Sequence, residues 1–203
     1  MKQLIRISFI IAAILSSLDA AAQIGVNVGY LSTNNVNTAS AVGGTDNTLA
    51  NSGFYAGITY QSNIPKRDKW FYETGMNYSY FGGSIGDMKI DYHYLNIPFR
   101  VKFKHSLGSS PVGLFAFAGP LFSIGISAKE DHTGNPYLSN PVVSMYGSVL
   151  NRFDIKLGGG IGLELFNHLD IRAGYDFGII DVSCKENHET RISYLYLGFG
   201  FNF

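Results

Sequence analysis

The five histidines are the first side chains to consider for chemistry, because a histidine beside a nucleophile or a metal ion can carry acyl transfer or hydrolysis. They are His93, His105, His132, His168 and His188. Only His93 lies within a segment of regular alternation, on its apolar face, whereas the others fall in segments typical of turns and loops. No serine or carboxylate stands at a characteristic spacing from His93, so the sequence predicts no catalytic residue.

A second group of chemically able side chains lies near residue 185. It comprises Asp181, Cys184, Glu186, His188 and Glu189. Carboxylate, thiolate and imidazole groups bind zinc, but this spacing matches no established zinc motif. We therefore expect neither a metal nor a cofactor. Since the chain has one cysteine, Cys184 is expected to be a free, exposed thiol.

Three glycines stand at alternate positions, Gly158, Gly160 and Gly162. A glycine-rich loop that cradles phosphate requires a following helix, but here a second alternating segment follows after a short turn. Glycine inside a strand indicates close backbone approach or strong bending. This spacing therefore favours a tightly curved sheet over a phosphate site.

The elements that would position these side chains are strands. Gly (24), Phe (15) and Tyr (13) are abundant among the 203 residues, a composition that suits many short strands. Only 15% of the residues are charged, below the ~25% of soluble domains. The 15 basic and 15 acidic residues balance, so no strong field favours nucleic acid as a partner.

The N-terminus has the anatomy of a secretory signal peptide, which we assign to residues 1–22. Lys2 and Arg6 precede an apolar run, Ile7–Leu18, that is too short to span a bilayer as a helix. Cleavage of this segment would leave residues 23–203 as a single domain.

Eight stretches of the mature chain alternate apolar and polar residues with the period of a β-strand. They are Ile24–Leu31, Gly53–Gln61, Lys69–Gly82, Tyr92–Lys104, Pro111–Ser127 and residues 153–165, 169–179 and 194–203. Several are about twice as long as the ~5–6 residues usual in soluble proteins, and a tilted strand needs about 9–11 residues to cross a bilayer. Length and alternation together indicate membrane-spanning strands.

The connections alternate between long and short. The long ones are residues 32–52, 83–90, 128–150 and 183–190, and the short ones are 62–68, 105–110 and 167–168. This rhythm predicts an all-β fold, an eight-stranded antiparallel up-and-down transmembrane β-barrel with short periplasmic turns and longer extracellular loops. The alternative is a soluble β-sandwich whose core is the apolar face.

The polar faces of the strands carry charges of both signs. They are Glu73, Arg100, Lys102, Asp154, Lys156, Glu164, Arg172 and Asp176. The interior of an eight-stranded barrel is just wide enough to be filled by side chains. We therefore expect a polar network of paired charges that closes the lumen, whereas in a sandwich the same residues would coat a solvated surface.

Aromatic residues gather near the predicted strand ends. Trp70, Phe71, Tyr72, Phe201 and Phe203 lie at the periplasmic level, and Tyr80, Phe81 and Tyr92 at the external level. Two interfacial girdles would have this distribution.

Several short motifs carry a family resemblance. They are Tyr94-Leu95-Asn96-Ile97-Pro98, Pro111 through Ala118-Gly119-Pro120, Arg172 through Gly178, and Leu197 through Phe203. Their order and spacing resemble the PorT-type outer membrane protein β-barrel domain family of Gram-negative bacteria. The resemblance implies an outer-membrane barrel with a tolerated bulge at Pro98. It implies little about activity, since fold does not carry the secretion role of PorT.

The expected function is that of an integral outer-membrane barrel with a filled lumen, which has a structural or interaction role through extracellular loops 32–52 and 128–150. We expect outer-membrane lipid, the barrel assembly machinery during insertion, and a protein or surface at the loops as partners. We do not expect an enzyme. A lipid-modifying enzyme centred on His93 is the alternative, followed by a narrow pore or a secretion accessory.

Overall fold

The computed structural model describes residues 23–39, 47–85, 88–108, 110–131, 142–147, 150–184 and 188–203. The expected signal peptide, residues 1–22, lies outside the described residues. Among the described residues there is no helix long and apolar enough to cross a membrane.

Eight long strands and one short strand make up the described fold. They are β1 (Gln23–Ala39), β2 (Asn47–Ile64), β3 (Arg67–Ile85), β4 (Met88–Ser106), β5 (Val112–Asp131), β6 (Val142–Ser144), β7 (Phe153–Leu165), β8 (Leu169–Gly178) and β9 (His188–Asn202). Each of the eight predicted strands corresponds to one long strand. The alternation of small and aromatic residues along each segment suits the pleat, on which successive side chains point to opposite faces.

The long strands close into a ring. Each pairs antiparallel with the next, β5 with β7 where the short β6 intervenes, and β9 returns to pair with β1. β6 adds three residues to the far end of β5. Closure satisfies the hydrogen-bonding groups along both sides of each long strand. The predicted eight-stranded up-and-down barrel is confirmed.

The two ends of the barrel differ. At one, the turn end, the connections lie between β2 and β3, between β4 and β5 and between β7 and β8, and the start of β1 meets the end of β9 there, where Phe203 N donates to the Ile24 carbonyl at 2.8 Å. Phe166 and Asn167 adopt positive φ of 55° and 62°, the left-handed geometry of a tight hairpin turn. The opposite end is the loop end.

The strands continue further towards the loop end than the sequence predicts. β1 runs to Ala39 and β2 begins at Asn47, so most of the predicted loop 32–52 is paired strand. The predicted loop 83–90 shrinks to the two residues between Ile85 and Met88. Backbone pairing continues there although the sequence no longer alternates regularly between apolar and polar residues.

The outer face of the barrel is apolar, and the charged side chains of the strands lie on the inner face. Ile58, Phe99, Leu157 and Phe199 point outward, and each is half exposed or more. A continuous apolar exterior of this kind requires a non-aqueous surrounding. A soluble sandwich would enclose these side chains and expose the charges, which is the reverse of the observed arrangement.

The glycines of β7 allow aromatic rings to fill the interior. A Cβ atom on Gly160 would lie 2.8 Å from Cζ of Phe117, and one on Gly162 would overlap the ring of Phe115. The predicted close approach is therefore present, and Phe115 and Phe117 occupy the space that these glycines leave.

Two predictions about local structure are wrong. The sheet keeps its register at Pro98, and the shift between β4 and β5 lies between His93 and Tyr94. Phe81 and Tyr92 belong to no external girdle, because both are buried inside the barrel. Aromatic residues near strand ends are typical of a membrane interface, which is why these two were predicted there. Each, however, stands at a strand position whose side chain points into the lumen.

Candidate functional site

The inner face of β4 changes in character along its length. From the loop end it presents Tyr92 and Tyr94, then Asn96, and finally Arg100 and Lys102, all of them buried. Along β4 the lumen therefore passes from an aromatic layer through an amide-lined layer to a charged layer. The candidate site is this filled lumen, which we describe from the turn end upward.

A four-membered ion-pair cluster occupies the charged layer. Arg172 donates to both carboxylate oxygens of Glu73, at 2.7 and 3.2 Å, and to Asp170 at 2.8 Å. Lys102 donates to Asp170 at 3.0 Å and lies 3.6 Å from Glu73. Two cations and two anions are thus joined without an unpaired charge, which is the condition under which buried ions are tolerated.

A second pair extends this cluster towards the middle of the barrel. Arg100 Nη2 donates to Asp176 Oδ1 at 2.5 Å, and Nη1 donates to the carbonyls of Gly119 and Gly158. Gly119 has a φ of +154°, and a Cβ atom there would overlap the backbone of Phe99. β5 is therefore locally distorted beside the Arg100 guanidinium.

A third pair lies nearer the loop end. Lys156 Nζ binds Asp154 and donates to Ser123 Oγ at 3.3 Å. The ammonium group sits 4.3 Å from the ring centroid of Tyr194, a cation–π distance. Both charges are fully buried, and these contacts replace their hydration.

The fourth pair lies at the open turn end. Lys104 and Glu164 approach to 2.5 Å, and Lys104 Nζ lies 4.5 Å from the centroid of Phe71. Both side chains are partly exposed and line a vestibule of about 480 Å³.

The structure brings all eight predicted residues into the lumen, each within one of these pairs or the cluster. Sequence reasoning missed Asp170, which pairs with both Lys102 and Arg172, and Lys104, which pairs with Glu164. Each stands two residues from a predicted lumen charge on the same strand, Lys104 from Lys102 and Asp170 from Arg172. The alternation of the strand was therefore sufficient to assign both to the lumen. With these two, the described lumen holds five cationic and five anionic side chains.

The aromatic layer closes the loop end, and we call it the aromatic cap. Phe81 stacks on Tyr94 with centroids 5.7 Å apart and an angle of 5°, and meets Tyr194 edge-on at 5.8 Å. Met145, Leu150 and Val182, which lie between strands, pack onto it. Part of the predicted loop 128–150 is thus buried in the mouth of the barrel.

Between the aromatic cap and the charged layer lies a cavity of about 60 Å³, which we call the central chamber. Its walls include Asn27, Asn77, Asn96, Tyr196 and Leu121. Polar and aromatic side chains share the lining of the central chamber.

The predicted alternative centre, His93, lies outside the lumen. Its Nδ1 is 2.6 Å from the hydroxyl of Tyr78, and its ring lies 5.1 Å from that of Tyr80. Ser127 is its partner in the β4–β5 ladder. The nearby carboxylate of Asp91 accepts from Tyr80 at 2.7 Å rather than from His93.

The group of acidic, cysteine and histidine residues near residue 185 includes side chains that make hydrogen bonds within the loop region. Asp181 accepts from the backbone N–H groups of Ser183 and Thr190 at 2.9 and 2.8 Å. Cys184 is exposed and donates to Asn151 at 3.3 Å. Glu186 lies outside the described residues, and within them no group of three metal-binding side chains converges.

Comparison with known proteins gives a consistent result. A family model described as an outer membrane protein beta-barrel domain matches residues 16–183. No curated protein sequence matches the chain significantly.

Solved structures of similar shape exist at low sequence identity. Neisserial surface protein A is 14% identical over 90% of this chain and 99% of its own, with a TM-score of 0.54. OprG from Pseudomonas aeruginosa is 14% identical over 90% and 96%, with a TM-score of 0.50. The outer membrane enzyme PagL is 10% identical over 84% and 97%, with a TM-score of 0.48. The first two share the fold.

Proposed function

Because the chain belongs to the outer membrane protein beta-barrel domain family, we propose that this bacterial outer-membrane barrel is a structural and interaction protein that contacts a partner through its external loops. The turn end would face the periplasm and the loop end the exterior. Lipid surrounds the apolar outer face, and the barrel assembly machinery is the expected partner during insertion.

The observation that carries this proposal is the filled lumen. Five cations and five anions are paired inside it, and the aromatic cap closes its external mouth. A barrel without an open path offers its loop end as the surface for contact. The paired strands β1 to β5 and β9 project there beyond the ends of β7 and β8, which supports a role in presenting the predicted loops 32–52 and 128–150.

Shortening the first loop tests the interaction role. β1 ends at Ala39 and β2 begins at Asn47, so deletion of residues 40–46 leaves Thr38 and Ala39 as a two-residue turn and every described pair between β1 and β2 in place. Cells that display the deletion variant should lose binding to a panel of extracellular proteins and glycans. Ser110→Ala at the turn end is the matched control.

The fold of each variant is checked separately by its mobility on gels with and without boiling, in outer-membrane fractions. Equal binding by the wild type and a correctly folded deletion variant contradicts a role for this loop. No binding by the wild type to any member of the panel contradicts the interaction role itself.

A lipid-modifying enzyme is the second candidate, and the surroundings of His93 favour it. The hydroxyl of Tyr78 can accept from Nδ1 and orient the ring, which leaves Nε2 available as a base. Ser127 lies opposite in the ladder, on the outer surface. A nucleophile and a base on neighbouring strands are the minimum for acyl transfer.

Lipid A analysis separates the two candidates. Mass spectra of lipid A from cells expressing the wild type, His93→Ala and Ser127→Ala should be identical if the barrel is not an enzyme. His168→Ala, at the turn end, is the control. An acylation change that requires both His93 and Ser127 would establish the enzyme instead.

A PorT-type affiliation is a narrower proposal, supported by the motif Tyr94 to Pro98 and by its neighbours along the chain. It makes a secretion accessory a further candidate. Deletion of the gene should leave the profile of secreted proteins unchanged if the interaction role is correct, and a loss of secreted proteins would favour the accessory.

A further inference from the structure

The central chamber contains polar atoms without a protein partner. They are the amide oxygens of Asn27, Asn77 and Asn96, Nε of Arg172 and the hydroxyl of Tyr194. Asn27, Asn96, Arg172 and Tyr194 are each more than nine-tenths buried. A buried polar group without a hydrogen bond costs ~1–3 kcal/mol, so five among the residues that line one cavity indicate that something occupies it.

The charges around the central chamber exclude an ion as the occupant. Its lining includes two carboxylates and two guanidinium groups, and these are paired with each other, Arg172 with Glu73 and Arg100 with Asp176. A cation would face both arginines and an anion both carboxylates. The occupant must be neutral.

The unpartnered atoms specify the chemistry of the occupant. Three acceptors require donors and Arg172 Nε requires an acceptor, so the occupant must both donate and accept. Asn96 illustrates the need, since its amide nitrogen donates to Ser79 Oγ at 2.7 Å while no described protein group donates to its oxygen. One ordered water needs roughly 10–15 Å³, and the cavity of about 60 Å³ therefore admits a small cluster.

We propose that the central chamber is a water-binding site, in which a cluster of ordered water molecules donates to Asn27, Asn77 and Asn96 and accepts from Arg172. These waters complete the polar interior of the barrel at its middle. The aromatic cap separates them from the external solution, and the ion-pair cluster separates them from the vestibule. The site is independent of what the loops bind.

A crystal structure of the full mature barrel at a resolution near 1.8 Å tests this proposal. Water density within hydrogen-bond distance of at least two of the three amide oxygens is the expected result. Side chains that fill the cavity, amide oxygens that accept from protein donors, or continuous density of a detergent or lipid tail would each overturn it.

A pair of variants sharpens the test. Asn96→Ala removes the acceptor and adds no volume, so at least one water site should disappear although the cavity becomes larger. Leu121→Met changes an apolar wall of the same cavity and should retain all of the water sites. If Asn96→Ala retains the full cluster, hydrogen bonding by the asparagine does not hold it. Should this variant fail to fold, the wild-type density decides alone.

Discussion

At the scale of single residues, the lumen depends on pairing. Each of Glu73, Lys102, Asp170 and Arg172 contacts at least two opposite charges. The mutual attraction of buried ions offsets their desolvation only when the geometry is good and no partner is missing. The loss of one member therefore costs more than the loss of one bond.

Arg172→Gln should be the most damaging neutral substitution in the ion-pair cluster. It would leave Glu73 and Asp170 with Lys102 as their remaining cation, and we expect a loss of about 3–5 kcal/mol in the free energy of unfolding. Urea unfolding of the barrel in lipid vesicles, followed by tryptophan fluorescence and gel mobility, measures it.

Lys104→Gln is the control for this substitution, because the Lys104–Glu164 pair is open to the vestibule and should contribute less. Equal losses from the two variants would show that burial does not set the cost.

At the scale of elements, β7 illustrates how one strand serves two surroundings. Outward residues such as Leu157 and Ile161 are apolar and exposed, whereas the inward Gly160 and Gly162 lie against the rings of Phe117 and Phe115. A side chain at an inward glycine must displace a ring or the neighbouring backbone.

Gly160→Val should prevent formation of the closed barrel, because its side chain would overlap Phe117 and the backbone of Gly174. The heat-modifiable band should be lost or strongly reduced. Ile161→Val, on the outward face of the same strand, should fold as the wild type does. A normal band for Gly160→Val would mean that the rings have other space available.

The aromatic cap is formed by side chains from several strands, among them Phe81 of β3, Tyr94 of β4 and Tyr194 of β9. Phe81→Ala removes the ring that contacts both Tyr94 and Tyr194, and truncation of a buried phenylalanine costs about 3–5 kcal/mol. Because the ion-pair cluster still separates the central chamber from the vestibule, the variant should stay as silent in planar bilayers as the wild type.

Phe99→Ala is the matched control for conductance, since Phe99 lies on the same strand as Tyr94 but faces outward. Conductance by Phe81→Ala and not by Phe99→Ala would show that the aromatic cap alone, and not the charged layer, closes the lumen.

At the scale of the whole molecule, the barrel is built with charges inside and apolar groups outside. The apolar band of the outer face is suited to contact with lipid. The free-energy cost of a charged substitution on this face should therefore depend on the depth of the residue in the bilayer. Leu157 lies near the middle of β7 and Phe153 at its loop end.

Leu157→Lys should cost about 2–4 kcal/mol and Phe153→Lys about 0–1 kcal/mol, because a charge near the interface keeps its hydration. Reversible urea unfolding in vesicles gives both values. The placement of the bilayer is supported if Leu157→Lys loses more free energy of unfolding than Phe153→Lys, whatever the absolute values. A loss from Phe153→Lys equal to or above that from Leu157→Lys would contradict it.

The sequence by itself determined which face of each strand points inward. Alternation is local, so Arg100, Lys102 and Asp176 could be assigned to the lumen from their own neighbours. The number of strands and the positions of the turns followed from the same pattern. Where the pattern fades, as in residues 32–39, sequence reasoning ended a strand too early because backbone pairing does not require an apolar face.

Only the tertiary structure decided which charges meet. Glu73 and Arg172 are 99 positions apart. Their contact depends on the stagger, which is the shift of each strand along its neighbour, added up around the closed ring. The same stagger placed Phe81 and Tyr92 in the cap and left the central chamber between the cap and the ion-pair cluster. Local periodicity assigns a side chain to a face, whereas ring closure sets its height and its partner.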